Sequence, residues 1–176
     1  MTKQKYDLQK LIKKQKWYYV NENLTTKNFP MPDVIETKDW KLITLDRTYT
    51  SQQCLDKIKA EGCRPANVYE LALWANAHRE EVPKGKWYVA LGQLWCFDGY
   101  HRVPYVNAYS VGAFGFYLGF FEVDWSDGNC LLCFCDKTLD TRELKTSSDT
   151  LSLENRVKIL EDFNERLIKA CKIIIS

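Results

Sequence analysis

Gly62-Cys-Arg-Pro-Ala-Asn-Val-Tyr-Glu-Leu71 is the stretch on which the reading of the fold turns. Gly62 supplies a helix stop, Arg64-Pro-Ala is a short extended link, and Asn67 with Glu70 caps a new helix that turns Val68, Leu71, Ala72 and Ala75 inward. Upstream, Thr50 followed by Gln53 is a capping box, so a helix is predicted from Ser51 to about Ala60 with Cys54, Leu55 and Ile58 on its buried side. Downstream, Trp87-Tyr-Val-Ala-Leu-Gly reads as a buried strand. From Trp95 to Cys135 several short strands follow, broken at Asp98-Gly99, Gly112, Gly115, Gly119 and Asp127-Gly128-Asn129. The most regular of them puts Phe114, Phe116, Leu118 and Phe120 on one face at period two.

That strand-rich middle is chemically distinct from the rest. Trp87 to Cys135 carries 14 of the 24 aromatic residues and no Lys or Arg after Arg102. Phosphate contacts need basic side chains on the same surface as the stacking rings, so a nucleic-acid partner is excluded. The net charge of +2 is unevenly spread: residues 1–20 hold six lysines against one aspartate, a net +5, leaving about −3 for the remainder. Leu8, Leu11, Ile12 and Tyr19 recur at helical spacing, which predicts an amphipathic helix over 3–19 with a lysine-rich outer face, a candidate docking arm. Residues 21–39, with Pro30 and Pro32, read as a connector, and Trp40-Lys-Leu-Ile-Thr-Leu as a first strand. Residues 137–150 read as a polar loop, and Leu153, Val157, Leu160, Leu167 and Cys171 place a final helix. The division drawn is therefore an arm and connector at 1–39, a core domain at 40–136, and a loop and helix at 137–176.

No apolar run approaches the roughly 18 residues that a membrane span needs. The N-terminus has neither the apolar segment nor the cleavage site of a leader, so a cytoplasmic location and reduced thiols are the expectation for the seven cysteines.

The order of parts, a helix with Cys54, the Gly62 to Leu71 joint, a strand leading to Gly92-Gln-Leu-Trp95, then Trp125-Ser-Asp-Gly-Asn-Cys130 and Cys133-Phe-Cys135-Asp136, resembles the C-type-lectin-like fold. Its formylglycine-generating-enzyme-like and retroelement variable-protein relatives share that order. The resemblance covers roughly residues 40–136 and implies an α+β domain. It also implies that Cys54 and Cys135 stand where the family often bridges its first helix to its last strand. In the family's calcium-dependent sugar binders a Trp-Asn-Asp element supplies two side-chain oxygens. Here Trp125-Ser126-Asp127 puts a hydroxyl in place of the amide, and the second calcium motif has no match. Sugar specificity is therefore not carried over.

Glu122, Asp124 and Asp127 are near one another in sequence but lack calcium-loop spacing, so they read as acids that keep a loop solvated. Cys130, Cys133 and Cys135 lack a fourth ligand for zinc, and two cysteines at period two on a strand pack as small hydrophobes. No cofactor and no metal are expected. Neither a nucleophile elbow nor a zinc-protease, Walker or dinucleotide motif occurs, so no catalytic residue is assigned.

The expected function is that of a non-catalytic binding module. A rigid sheet would display Tyr105, Asn107, Tyr109, Ser110, Glu122, Asp124, Trp125, Asp127 and Asn129, with Tyr109 and Trp125 as anchors. A protein partner is expected ahead of a sugar. The alternatives are a small cytosolic enzyme that pairs Cys63 or Cys96 with His101, and a structural subunit.

Overall fold

Alternating side chains along one long hairpin organise the architecture. A computed structural model of the chain describes residues 6–14, 16–80, 83–109 and 114–135. The chain divides into two units, 1–136 and 137–176, and the second, with its expected loop and helix, lies outside the described residues. So does Ser110.

The elements run α1 (Leu8–Lys13), β1 (Tyr19–Val20), β2 (Trp40–Thr44), α2 (Ser51–Ala60), β3 (Cys63–Pro65), α3 (Val68–Ala77), β4 (Trp87–Val89), β5 (Trp95–Phe97), β6 (Tyr100–Ala108), β7 (Phe114–Phe120) and β8 (Cys130–Cys135). The eight strands form one sheet in the order β1-β7-β6-β4-β8-β2, with β3 also on β8 and β5 also on β6. Most pairs are antiparallel, but β1 runs parallel to β7 and β4 parallel to β8. The fold class is thus mixed α+β.

Local chemistry accounts for the helix ends. Thr50 and Asn67 each accept backbone N–H groups of the first turn, while Gln53 and Glu70 reach back, so both capping boxes are complete. Glu70 is fully buried, and its carboxylate accepts from both terminal nitrogens of Arg64 and from the backbone N–H groups of Glu36 and Asn67. Four donors satisfy a charge that would otherwise be expensive to bury. At the β5–β6 hairpin, Asp98 and Gly99 have φ of 53° and 77°, the pair of positive values that a two-residue type I′ turn requires.

The register assigns faces. Tyr88, Ala90, Val106, Ala108, Phe114, Phe116, Leu132 and Phe134 point to the side covered by α1 and α3. Val89, Leu91, Val103, Leu131 and Cys133 point to the other, covered by Cys54 and Ile58 of α2 and by Trp125.

Two sequence expectations change. The helix predicted over 3–19 is only Leu8–Lys13, because Tyr19 is drawn into β1 on the sheet edge and Trp17 packs on Phe116. Its Leu8, Leu11 and Ile12 share one core with Leu24 and Phe29 of the expected connector. The thiols also differ: reduced cysteines were expected, with the resemblance putting Cys54 and Cys135 at the family's bridging positions, but Cys63 is disulfide-bonded to Cys135, which stands directly opposite it in the β3–β8 ladder. Cys54 is a buried thiol within the second core, pushed up to about 11 by that burial.

Candidate functional site

Past the edge of α2, no element among the described residues covers the second face of the sheet, which carries a row of aromatic rings. Trp87 of β4, Tyr105 of β6, Tyr117 of β7 and Tyr19 of β1 lie on consecutive strands. Their ring centroids are 4.7, 5.3 and 4.7 Å apart, with interplanar angles of 18–19°. Those separations match the spacing of neighbouring strands, about 4.7–4.9 Å, so the rings stack across the sheet like its own backbone ladder. Gly115 makes the row possible: a Cβ there would fall within the Tyr117 ring, which leans back over this position. Gly119 does the same for Trp125 and Tyr105, whose rings a Cβ would approach to 3.0 and 3.4 Å.

The row is extended at one end. The Tyr109 hydroxyl lies 2.6 Å from that of Tyr117, and Tyr18, 76% exposed, meets the Tyr109 ring edge-on at 5.7 Å. Asn107 sits between Trp87 and Gly115 in the same cross-strand row. Burial, and then the hydrogen bond shared with Tyr109, push the Tyr117 hydroxyl above the ordinary tyrosine range. Burial pushes Tyr105 in the same direction. Both therefore remain neutral hydrogen-bonding groups at neutral pH.

Because the ring faces are spent on one another, the row offers solvent its edges and hydroxyls. Only the outer rings, Trp87 and Tyr19, keep a face with no ring of the row against it.

Of the residues expected at the site, Tyr105, Asn107 and Tyr109 come together here. Trp125 meets the Tyr105 ring edge-on at 6.4 Å but from beneath the surface: it is 2% exposed, donates from Nε1 to Ser51 Oγ at 2.8 Å, and its backbone pairs with Tyr49. It is a plug of the second core rather than an exposed anchor. Asn129 is likewise buried, its Nδ2 donating to Ser126 Oγ and its carbonyl accepting from Leu45. Glu122 holds His101, accepting its backbone N–H at 3.0 Å and lying 2.9 Å from Nδ1. Those bonds, the backbone one foremost, lower the carboxyl's pKa. Asp124 and Asp127 are exposed, and among the described residues no three acids gather at ligand spacing.

Trp87, Tyr117, Tyr18 and Tyr19 were missed by sequence reasoning. The available signal was the second face of β7, where Gly115 and Gly119 flank Tyr117 at period two. Two concavities lie away from the row: a cleft of about 700 Å³ between α1 and β1, and one of about 190 Å³ beside Trp40, Trp74 and His78. Neither contains a residue expected at the site.

Comparison with known proteins finds no family model, no curated protein and no solved structure with a significant match to the chain.

Proposed function

We propose that this chain is a non-catalytic binding module and that the open row Trp87, Tyr105, Tyr117 and Tyr19, with Tyr18, Asn107 and Tyr109 at its end, is the surface that receives the partner. The observation that carries this reading is the row itself. Four large rings are stacked on rigid strands and left partly open, where a purely structural face would be covered. Tyrosines held this way supply contact area and hydroxyls at little entropic cost. A sugar or a nucleobase stacks on ring faces, whereas a polypeptide uses edges and hydroxyls. The geometry therefore favours a protein partner over a sugar, and the lack of Lys and Arg from 103 to 135 speaks against nucleic acid. The C-type-lectin-like assignment belongs to the same proposal. It is supported by the order of parts, two capped helices ahead of the strands and Trp125 ahead of the last one.

The test is affinity capture from the native host, repeated with Tyr18→Ala and Tyr109→Ala. A partner held by the wild type and weakened tenfold or more by both variants, with unchanged melting temperature, supports the reading. A partner bound equally by the variants overturns it.

One observation favours a second reading. The disulfide removes Cys63 as a nucleophile, but Cys96 stands opposite His101 across the β5–β6 hairpin, and Glu122 holds His101 through Nδ1. If this arrangement is catalytic, Cys96 is alkylated by iodoacetamide faster than an ordinary thiol at neutral pH, and His101→Ala slows it at least tenfold. Equal rates reject it.

A further inference from the structure

The β3–β8 ladder gathers three sulfur atoms on one face. Cys63 stands opposite Cys135 and Pro65 opposite Cys133, and Cys133 and Cys135 share a face because they are two apart on β8. The three Sγ atoms all lie within 4.8 Å of one another. Cys130, the third cysteine of the Cys130-Leu-Leu-Cys-Phe-Cys run, packs in the opposite core and does not join them. Zinc–thiolate bonds are about 2.3 Å, so thiolates sharing a tetrahedral zinc are roughly 3.8 Å apart: the bonded sulfurs of Cys63 and Cys135 would separate to that spacing once reduced, and Cys133 would close on each by about an ångström at most. The surroundings suit such a centre. Cys133 is fully buried, Cys63 and Cys135 are half-buried, and the cluster is not sealed from solvent.

We infer that Cys63, Cys133 and Cys135 form a redox-gated site for one thiophilic divalent cation of the zinc class, with a fourth position left to water. In the disulfide form, two of the three ligands are bonded to each other and the site is closed. A dithiol reductant opens it. Two electrons and two protons pass to the Cys63–Cys135 bond, giving two thiols, while the dithiol becomes a disulfide. The cation then displaces one proton from each of the three thiols as three metal–sulfur bonds form. Oxidation by a small-molecule disulfide withdraws two ligands and releases the ion. The structure thereby supplies the distant ligand that the closely spaced β8 cysteines lack on their own.

The experiment uses the full chain carrying Cys96→Ser and Cys171→Ser, which leaves the buried Cys54 and Cys130 as the other thiols outside the cluster. Zinc is titrated into the reduced and the oxidised protein against a chromophoric chelator, and cobalt(II) is used to read thiolate-to-metal charge transfer. The expected result is one equivalent bound by the reduced protein and none by the oxidised. Cys133→Ser weakens binding at least tenfold and cuts the charge-transfer intensity by about a third, while Cys130→Ser leaves both unchanged. Where reduction unfolds the chain, zinc restoring the β-sheet circular dichroism supports the site, and failure to restore it overturns it. Binding that survives Cys133→Ser, or that is equal in the oxidised protein, overturns it as well.

Discussion

The two faces of the sheet grow from the same alternation and finish differently. Phe114 and Phe116 of β7 point to a face that α1, α3 and residues 21–35 cover, and there every large side chain finds an apolar partner. Tyr117, one residue on, points to a face whose cover stops at α2 and Trp125, and beyond that line the rings cover one another. Stacking is thus the second way this protein removes apolar area from water. It costs no additional element and leaves hydroxyls at the surface.

The strongest break of this comparison is deletion of residues 1–30. It strips Leu8, Leu11, Ile12, Leu24 and Phe29 from the covered face, so the truncated chain is expected to lose cooperative unfolding in urea. A truncated protein that retains a sharp transition would show that α3 alone covers that face. Next comes Phe116→Ala, expected to cost about 3–5 kcal/mol by denaturant titration, because Phe116 is fully buried and its removal leaves a large cavity. Its neighbour Tyr117→Ala removes two stacked contacts and is expected to cost only about 1–3 kcal/mol. Equal losses at 116 and 117 would erase the distinction between the faces.

The smallest effect is alkaline. Tyr69, Tyr88, Tyr105 and Tyr117 all have raised pKa values with burial as the first cause, Tyr88 reaching about 12. A folded pKa above the unfolded value of about 10 means that the folded state holds the proton longer. The stability contributed is full below about pH 10 and is withdrawn as pH rises through the higher folded values. Tyrosinate absorbance should therefore show a late phase from these four hydroxyls above pH 10, with stability falling over the same range. Simultaneous titration of all ten tyrosines in the folded protein would contradict it.

Much of the local structure was legible in the sequence, since it depends on neighbours a few residues away. The capping pairs Thr50/Gln53 and Asn67/Glu70 place α2 and α3, and the period-two phenylalanines place β7. What was not legible depends on register. Cys63 and Cys135 are 72 residues apart, and only the β3–β8 pairing sets them opposite one another. The aromatic row draws one ring from each of four strands, so no single stretch of sequence contains it. Tyr105, Asn107 and Tyr109 were found because tyrosine and asparagine near a strand break carry the composition of recognition surfaces, although Tyr105 and Asn107 lie within β6 and Tyr109 just past its end. Trp125 was misplaced because its indole N–H meets Ser51, a partner no local pattern reveals.

The strand order carries a consequence for how the chain is made. β1 is hydrogen-bonded to β7, β2 to β8, and β8 lies between β4 and β2. A ribosome releases Tyr19–Val20 and Trp40–Thr44 long before Phe114–Phe120 and Cys130–Cys135, so both early strands leave the tunnel without partners. The locally capped helices and the β5–β6 and β6–β7 hairpins, by contrast, close on neighbours a few residues away. The sheet is completed by its last-made strand, in a step dominated by distant pairings of the kind that fold slowly. Throughout that wait Trp40-Lys-Leu-Ile-Thr is a strand without its partner, the kind of edge that pairs with other chains when left open.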